Sequence, residues 1–287
     1  MARMATGLST ALLGLMAGAG AVAETLGQPT DGAWGLQGAA TQIREHQIWF
    51  HDWLLLPVIT VITVFVLALL VICIVRFNAR ANPTPARWSH NTPIEIAWTV
   101  IPVVILAVIA IFSFRLLFEE HDMPKPDLTV KVTGRQWNWD YEYPDQKISA
   151  YTSTLMSEAD AKAGGVPYQL AANAPMYAPV NKVVRVQVTA EDVIHSFSVP
   201  AFGVKIDAIP GRLNETWFKA TKTGVFYGQC SQLCGINHSF MPIEVHVVPQ
   251  AEFDAWVAGK APKPAPTAVA AASVPATPGA AAPAAAH

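Results

Sequence analysis

The sequence predicts a two-helix transmembrane hairpin carrying a small all-β sandwich or barrel. Three observations lead there. Two long uncharged apolar runs lie in the first 120 residues. Beyond them the periodicity changes to short alternating segments separated by turn residues. Across the 287 residues, 52% are hydrophobic and only 14% charged, the balance of a membrane protein with a polar part attached.

Residues 1–23 open the chain with Arg3, an uncharged Leu/Ala/Gly-rich stretch and then Ala21-Val22-Ala23. Charged, apolar and small-residue regions in that order make a secretory signal with its cleavage site. Residues 24–45 then form an outer N-terminal segment, and residues 46–120 the hairpin. Its first run, Leu54 to Val75, has 22 residues without a charge, about 33 Å of helix and enough to cross the hydrocarbon core. The second, Ile96 to Phe114, has 19. Pro57 and Pro102 fall within these runs, and neighbouring helices can satisfy the carbonyls they free. The connector carries Arg76, Arg80 and Arg87 and no acid, whereas Glu119, Glu120 and Asp122 follow the second run. The positive-inside rule places the connector in the cytoplasm and both ends of the mature chain outside, as the signal also requires.

Residues 121–257 are expected to form the outer β domain. Leu128–Val132, Val183–Val188 and Ile243–Val247 alternate as antiparallel strands do, and Gly134, Pro144-Asp145, Gly164-Gly165 and Pro210-Gly211 supply turns. Tyr151 to Pro179 shows weak patterning and reads as a long irregular connection. Residues 258–287 are nearly all Ala, Pro, Thr and Val, with too little large apolar surface to order themselves, and are expected to be a disordered tail.

A net charge of −2 gives no basic patch for nucleic acid. Three cysteines are too few for a disulfide framework, and Cys73 lies inside an apolar run. The other two belong to GQCSQLCGINHSFMP, Gly228 to Pro242, which gathers Cys230, Cys234, His238 and Met241. Thiolates, imidazole and thioether together suit copper better than hard cations. His195, in EDVIHSFSVP after a strand, is the candidate second imidazole. Five side-chain ligands exceed what one copper takes, and two thiolates bridging two coppers would use them all. A Cys230–Cys234 disulfide and a zinc site remain open on the residues alone, although Met241 argues against zinc.

GQCSQLCGINHSFMPI, IHSFSVPAFGVKIDAIPGRLNETW, GRQWNWDYEYP (Gly134 to Pro144) and NTPIEIAWTVIP (Asn91 to Pro102) closely resemble subunit II of the aa3-type cytochrome c oxidases, over roughly residues 45 to 255. The resemblance implies a cupredoxin-like Greek-key domain holding a dinuclear copper A centre. Cys230 and Cys234 would bridge both coppers, His195 and His238 would each bind one, and Met241 and the Gln232 carbonyl would complete the set. It implies Trp137 as the point where electrons arrive from cytochrome c; Asn138 stands where relatives usually have an aromatic residue. Glu95 would guard the mouth of a proton channel into the catalytic subunit. The family normally has Glu where Gln232 stands, with its carboxylate on a magnesium ion at the subunit I boundary, so that site is expected to be weakened here.

The implied partners are cytochrome c and oxidase subunits I and III, in a bacterial inner membrane with the copper domain on the periplasmic side. Without a CxxCH motif the chain carries no covalent haem, and oxygen reduction belongs to the complex. Asp140, Glu142, Asp145, Glu158, Asp160, Glu191 and Asp192 could steer a basic cytochrome as a set. The alternatives are a copper-free quinol oxidase subunit II and a membrane-tethered copper electron carrier.

Overall fold

The computed structural model describes residues 25–260. The expected signal at 1–23 lies outside them, as does the expected tail beyond Lys260. Helix α1 (Gln42–Trp49) begins where Thr41 caps it, the hydroxyl accepting from Arg44 N at 3.1 Å and donating to the Phe202 carbonyl at 2.8 Å. A π-helical segment (Phe50–Leu55) joins it to α2 (Leu56–Arg76), a continuous 35-residue run. The first arm of the hairpin therefore starts at Gln42, four residues into the stretch expected to precede it. Helix α3 (Thr92–His121) starts at the Asn91 cap, with Pro93 in its first turn. Among the described residues these are the two helices long and apolar enough to cross a membrane. None of the residues of α2 or α3 is buried, as a lipid- or protein-covered span requires.

The β domain contains β1 (Leu128–Arg135), β2 (Asn138–Tyr143), β3 (Ile148–Ser153), β4 (Met176–Pro179), β5 (Val184–Ala190), β6 (His195–Val199), β7 (Val204–Ala208), β8 (Asn214–Phe218), β9 (Gly224–Gln229) and β10 (Pro242–Val248). One sheet has the order β3-β2-β1-β5-β8, a second β4-β10-β9, and β6-β7 form a ribbon. Two pairings, β1 with β5 and β10 with β4, are parallel. The sequence suggested antiparallel strands throughout. The long crossover between β1 and β5 allows the parallel pair.

That crossover is also more ordered than the weak patterning of 151–179 suggested. It holds β3, β4 and a short helix α4 (Glu158–Gly164), capped by Ser157 and stopped by Gly165 at φ 64°.

The core lies between the two larger sheets. Trp139, Tyr141 and Tyr143 alternate on the inner face of β2 and are fully buried, as are Val130, Val132, Val186, Val188, Phe197 and Ile243. Each large side chain contributes about 1.5–3 kcal/mol on leaving water. The Tyr143 hydroxyl ties the sheets together, donating to the Tyr177 carbonyl and accepting from Tyr177 N, both at 2.8 Å. Helix α5 (Gln250–Lys260) closes the domain with Trp256 stacked on Tyr177 at 4.7 Å. It continues three residues past the boundary at which the tail was expected to begin.

Hairpin and β domain are fastened to each other. Trp217 Nε1 donates to the Glu120 carbonyl at 3.0 Å, and Gln47 Nε2 reaches both Glu120 Oε1 at 2.8 Å and the Gly203 carbonyl at 3.0 Å. Ahead of α1, Ala40 N bonds to the Ala201 carbonyl and Thr221 N to the Ala40 carbonyl, each at 2.8 Å. These bonds hold the β domain in a set relation to the membrane arms.

Candidate metal centre

The loop from β9 to β10 carries four of the candidate ligands, and the first residue of β6 supplies the fifth. Cys230 follows β9 directly, and Ser231 N bonds to the Ser196 carbonyl at 3.0 Å, drawing the loop onto β6 beside His195. A 3-10 turn, His238–Phe240, then brings His238 and Met241 back toward the cysteines.

Six donor atoms converge. Cys230 Sγ lies 3.9 Å from Cys234 Sγ, 3.9 Å from His195 Nδ1 and 3.3 Å from the Gln232 carbonyl oxygen. Cys234 Sγ lies 3.5 Å from His238 Nδ1 and 3.6 Å from Met241 Sδ. Donors bound at about 2.0 Å through nitrogen and about 2.3 Å through sulfur stand about 3.5–3.8 Å apart around a tetrahedral metal. The spacing fits soft metal ions shared within this set, and the donors are those copper prefers. Both cysteines are free thiols and buried, His195 and Met241 are almost fully enclosed, and His238 is half-buried. His195, Cys230 and Cys234 are the one group of His, Cys, Asp or Glu side chains among the described residues placed closely enough to hold an ion.

A surrounding set of hydrogen bonds fixes the ligands. Asp192 Oδ1 takes His195 Nε2 at 2.9 Å, so that Nδ1 is the nitrogen facing the thiols. Asp192 Oδ2 accepts from Gln136 N at 2.7 Å, while Gln136 Nε2 donates to the Cys234 carbonyl at 2.8 Å. Trp139 Nε1 bonds to the Met241 carbonyl at 3.2 Å, and its ring stands edge-on to His195 at 5.9 Å. Packing leaves no slack at Gly134, where a Cβ would come within 3.0 Å of His195 Cδ2 and 3.1 Å of Trp139 Cζ3.

Electrostatics follow from this geometry. Burial would raise the Cys230 thiol, but His195 and the backbone amides of Gln232 and Ser196 outweigh it and bring the group down to about 7. Burial and the neighbouring Cys230 charge push Cys234 up to about 12. Burial opposes protonation of His195, yet Cys230 and Asp192 raise it overall. Asp192 is likewise held low by its hydrogen bonds from His195, Val193 N and Gln136 N, against the effect of burial. The geometry thus favours the charged forms of Cys230 and His195 and the protonated form of Cys234. A metal would displace the second thiol proton on binding.

Trp137 stands apart from the buried aromatic face that follows it in sequence. Trp139, Tyr141 and Tyr143 are core residues, whereas Trp137 sits in the turn between β1 and β2, half-exposed, with Nε1 3.3 Å from the Cys234 carbonyl. Its Cζ2 would lie 2.9 Å from a Cβ on Gly235, whose φ of +123° also favours glycine.

The expected steering acids are less free than their sequence positions imply. Asp140 is buried and pairs with Arg135 at 3.2 Å, and Arg135 also takes Glu191 at 2.7 Å. Glu142 pairs with Lys131, Asp145 accepts from Thr129 N, Asp160 belongs to the α4 cap, and Asp192 serves His195. Glu158 opens α4 at the surface. Gln232 is exposed, with its carbonyl turned to Cys230. Glu95 is far from the centre, in the first turn of α3, where its carboxylate accepts from Asn91 N at 3.2 Å. Sequence reasoning gave no role in the site to Gln136 and treated Asp192 only as a surface acid. An Asp three residues before a ligand histidine was the signal available.

Residues 128–248 match the family described as cytochrome C oxidase subunit II, periplasmic domain, and residues 29–116 its transmembrane domain. The chain is 44% identical over 273 residues to cytochrome c oxidase subunit 2 of Cereibacter sphaeroides, covering 88% of this chain and 90% of that one. It is 50% identical over 236 residues to the probable cytochrome c oxidase subunit 2 of Rickettsia bellii, covering 81% and 86%. A crystal structure of the periplasmic domain of subunit II of cytochrome oxidase of Bradyrhizobium japonicum is 57% identical, covers 48% of this chain and 96% of that one, and gives a TM-score of 0.45. The chain therefore belongs to the cytochrome c oxidase subunit II family, as a membrane subunit of an oxygen-reducing haem–copper oxidase.

Proposed function

We propose that this chain is the subunit through which electrons enter the oxidase, holding two coppers in the centre just described. The observation that carries the reading is the convergence of six soft or carbonyl donors at 3.3–3.9 Å around two unbridged thiols. When bound, the two coppers supply a one-electron site that takes electrons from cytochrome c and yields them to haem in the catalytic subunit.

The chain's residues do the rest. Cys230 and Cys234 lie between the two histidines, so each thiolate can be shared, while His195 and His238 stand at opposite ends. Asp192 fixes the His195 tautomer, and Trp139 and Met241 exclude water from the inner side. The β scaffold holds these groups still, which keeps reorganisation small. Trp137 reaches from the half-exposed rim to the Cys234 carbonyl at 3.3 Å, a direct hydrogen-bonded link to a ligand residue. Intact ligands favour this over a copper-free quinol oxidase subunit.

The same reading places the β domain in the periplasm of a bacterium, beside subunits I and III. Glu95 lies at the cytoplasmic mouth of a proton channel, and Gln232 offers a weakened magnesium ligand at the subunit I face. Stopped-flow mixing with reduced cytochrome c tests the function. The copper absorption of the loaded chain should bleach in step with cytochrome oxidation, and a chain that stays oxidised contradicts the reading.

A further inference from the structure

Between α1 and α3, just beneath the β domain, lies a cleft of about 250 Å3 lined by His46, Trp49, Phe50, Phe112, Arg115 and Glu119. Its floor is aromatic, with Trp49 and Phe112 in tilted contact at 6.0 Å. Its depth is set by the charges that bound α3. Glu95 and Arg115 are separated by about 30 Å of helix, the thickness of the hydrocarbon core. Arg115 therefore stands at the headgroup level on the β-domain side, directly after the uncharged run that ends at Phe114. The aromatic floor lies where tryptophan belts are found.

The polar groups of the cleft are asymmetric. Both oxygens of Glu119 lie near His46 Nδ1, at 3.0 and 2.8 Å, and each retains a free lone pair. Arg115 is exposed, and no carboxylate among the described residues lies within ion-pair distance of it. Arg115 and Glu119 are four residues apart on one face of α3, one helical turn of about 5.4 Å. A cation and a carboxylate at that separation complement a phosphate and an ammonium joined by a two-carbon linker. A singly anionic headgroup would satisfy Arg115 but set no cation against Glu119.

We propose that this cleft binds one aminophospholipid, its phosphate on Arg115 and its ammonium on Glu119, with the upper acyl segments against Trp49 and Phe112. The site lies away from the metal centre and does not depend on the copper reading.

The test uses the full-length chain, alone and in the assembled oxidase, in mild detergent with equimolar phosphatidylethanolamine and phosphatidylglycerol. Native mass spectrometry counts the retained lipid. One phosphatidylethanolamine per chain should be retained in preference, in both preparations. Arg115→Gln should lower its retention about tenfold, equivalent to about 1.4 kcal/mol. Arg115→Lys, which keeps the charge, should restore most of it and so separate lost binding from lost folding. Glu119→Gln should remove the preference for phosphatidylethanolamine over phosphatidylglycerol. Equal retention of both lipids by the unmodified chain, or unchanged retention in Arg115→Gln, overturns the proposal. So does absence of the lipid from the assembled oxidase, since a neighbouring subunit would then cover the cleft.

Discussion

His195 is held between a carboxylate and a cysteine sulfur, with Nε2 2.9 Å from Asp192 Oδ1 and Nδ1 3.9 Å from Cys230 Sγ. The carboxylate decides which nitrogen faces the thiols, so it acts on the metal without touching it. Asp192→Asn should weaken copper binding about 10- to 100-fold, the usual cost of losing such a partner. Competition against a copper chelator measures this, and an unchanged affinity would show that packing alone orients the ring.

Trp137 touches the ligand loop through the Cys234 carbonyl and contributes no ligand atom. Trp137→Phe removes the hydrogen bond and keeps most of the packing. Reduction by cytochrome c should slow by about tenfold or more, at least ~1.4 kcal/mol in barrier, while the copper absorption spectrum stays nearly unaltered. An unaltered rate would leave Trp137 as a packing residue.

Gly134 lies under His195 and Trp139, with 3.0–3.1 Å left for a Cβ. Gly134→Ala forces one of the two rings to move, and overpacking of this kind costs about 1–3 kcal/mol. A lowered melting temperature together with a shifted copper spectrum is the expected result. A lowered melting temperature with an unshifted spectrum would mean that Trp139 alone gives way.

Gln232 presents its carbonyl to Cys230 and its side chain to solvent. Copper binding through the carbonyl is indifferent to the side chain, whereas magnesium favours charged oxygen. Gln232→Glu should therefore leave the copper spectrum as it is and tighten manganese binding in the assembled oxidase, read by manganese EPR. Equal manganese affinity in both forms would show that the carboxylate is dispensable.

The hairpin and the copper loop were legible because their signals are local. Leu54–Val75 is one unbroken apolar run, and Cys230, Cys234, His238 and Met241 lie within twelve residues. His195 was legible from its place after a strand. The groups around these ligands were not, since they meet across long stretches of chain: Gln136 with Cys234, Trp139 with the Met241 carbonyl, and Arg135 with Glu191. Pairing direction was equally hidden, because β1 alternates identically whether its neighbour β5 runs parallel or antiparallel. Helix α4 was overlooked although its cap Ser157 and its stop Gly165 were both visible. Seven residues carry too little periodicity to stand out.

In the proposed function the two cysteines are shared by two coppers. EPR of the copper-loaded full-length chain, with metal analysis of the same sample, tests it most directly. Two coppers per chain and one unpaired electron spread over both nuclei are expected, a signal that Cys230→Ser should abolish because a hydroxyl cannot replace a bridging thiolate. One copper per chain with the spectrum of a single isolated ion, or zinc held in preference to copper, would contradict it.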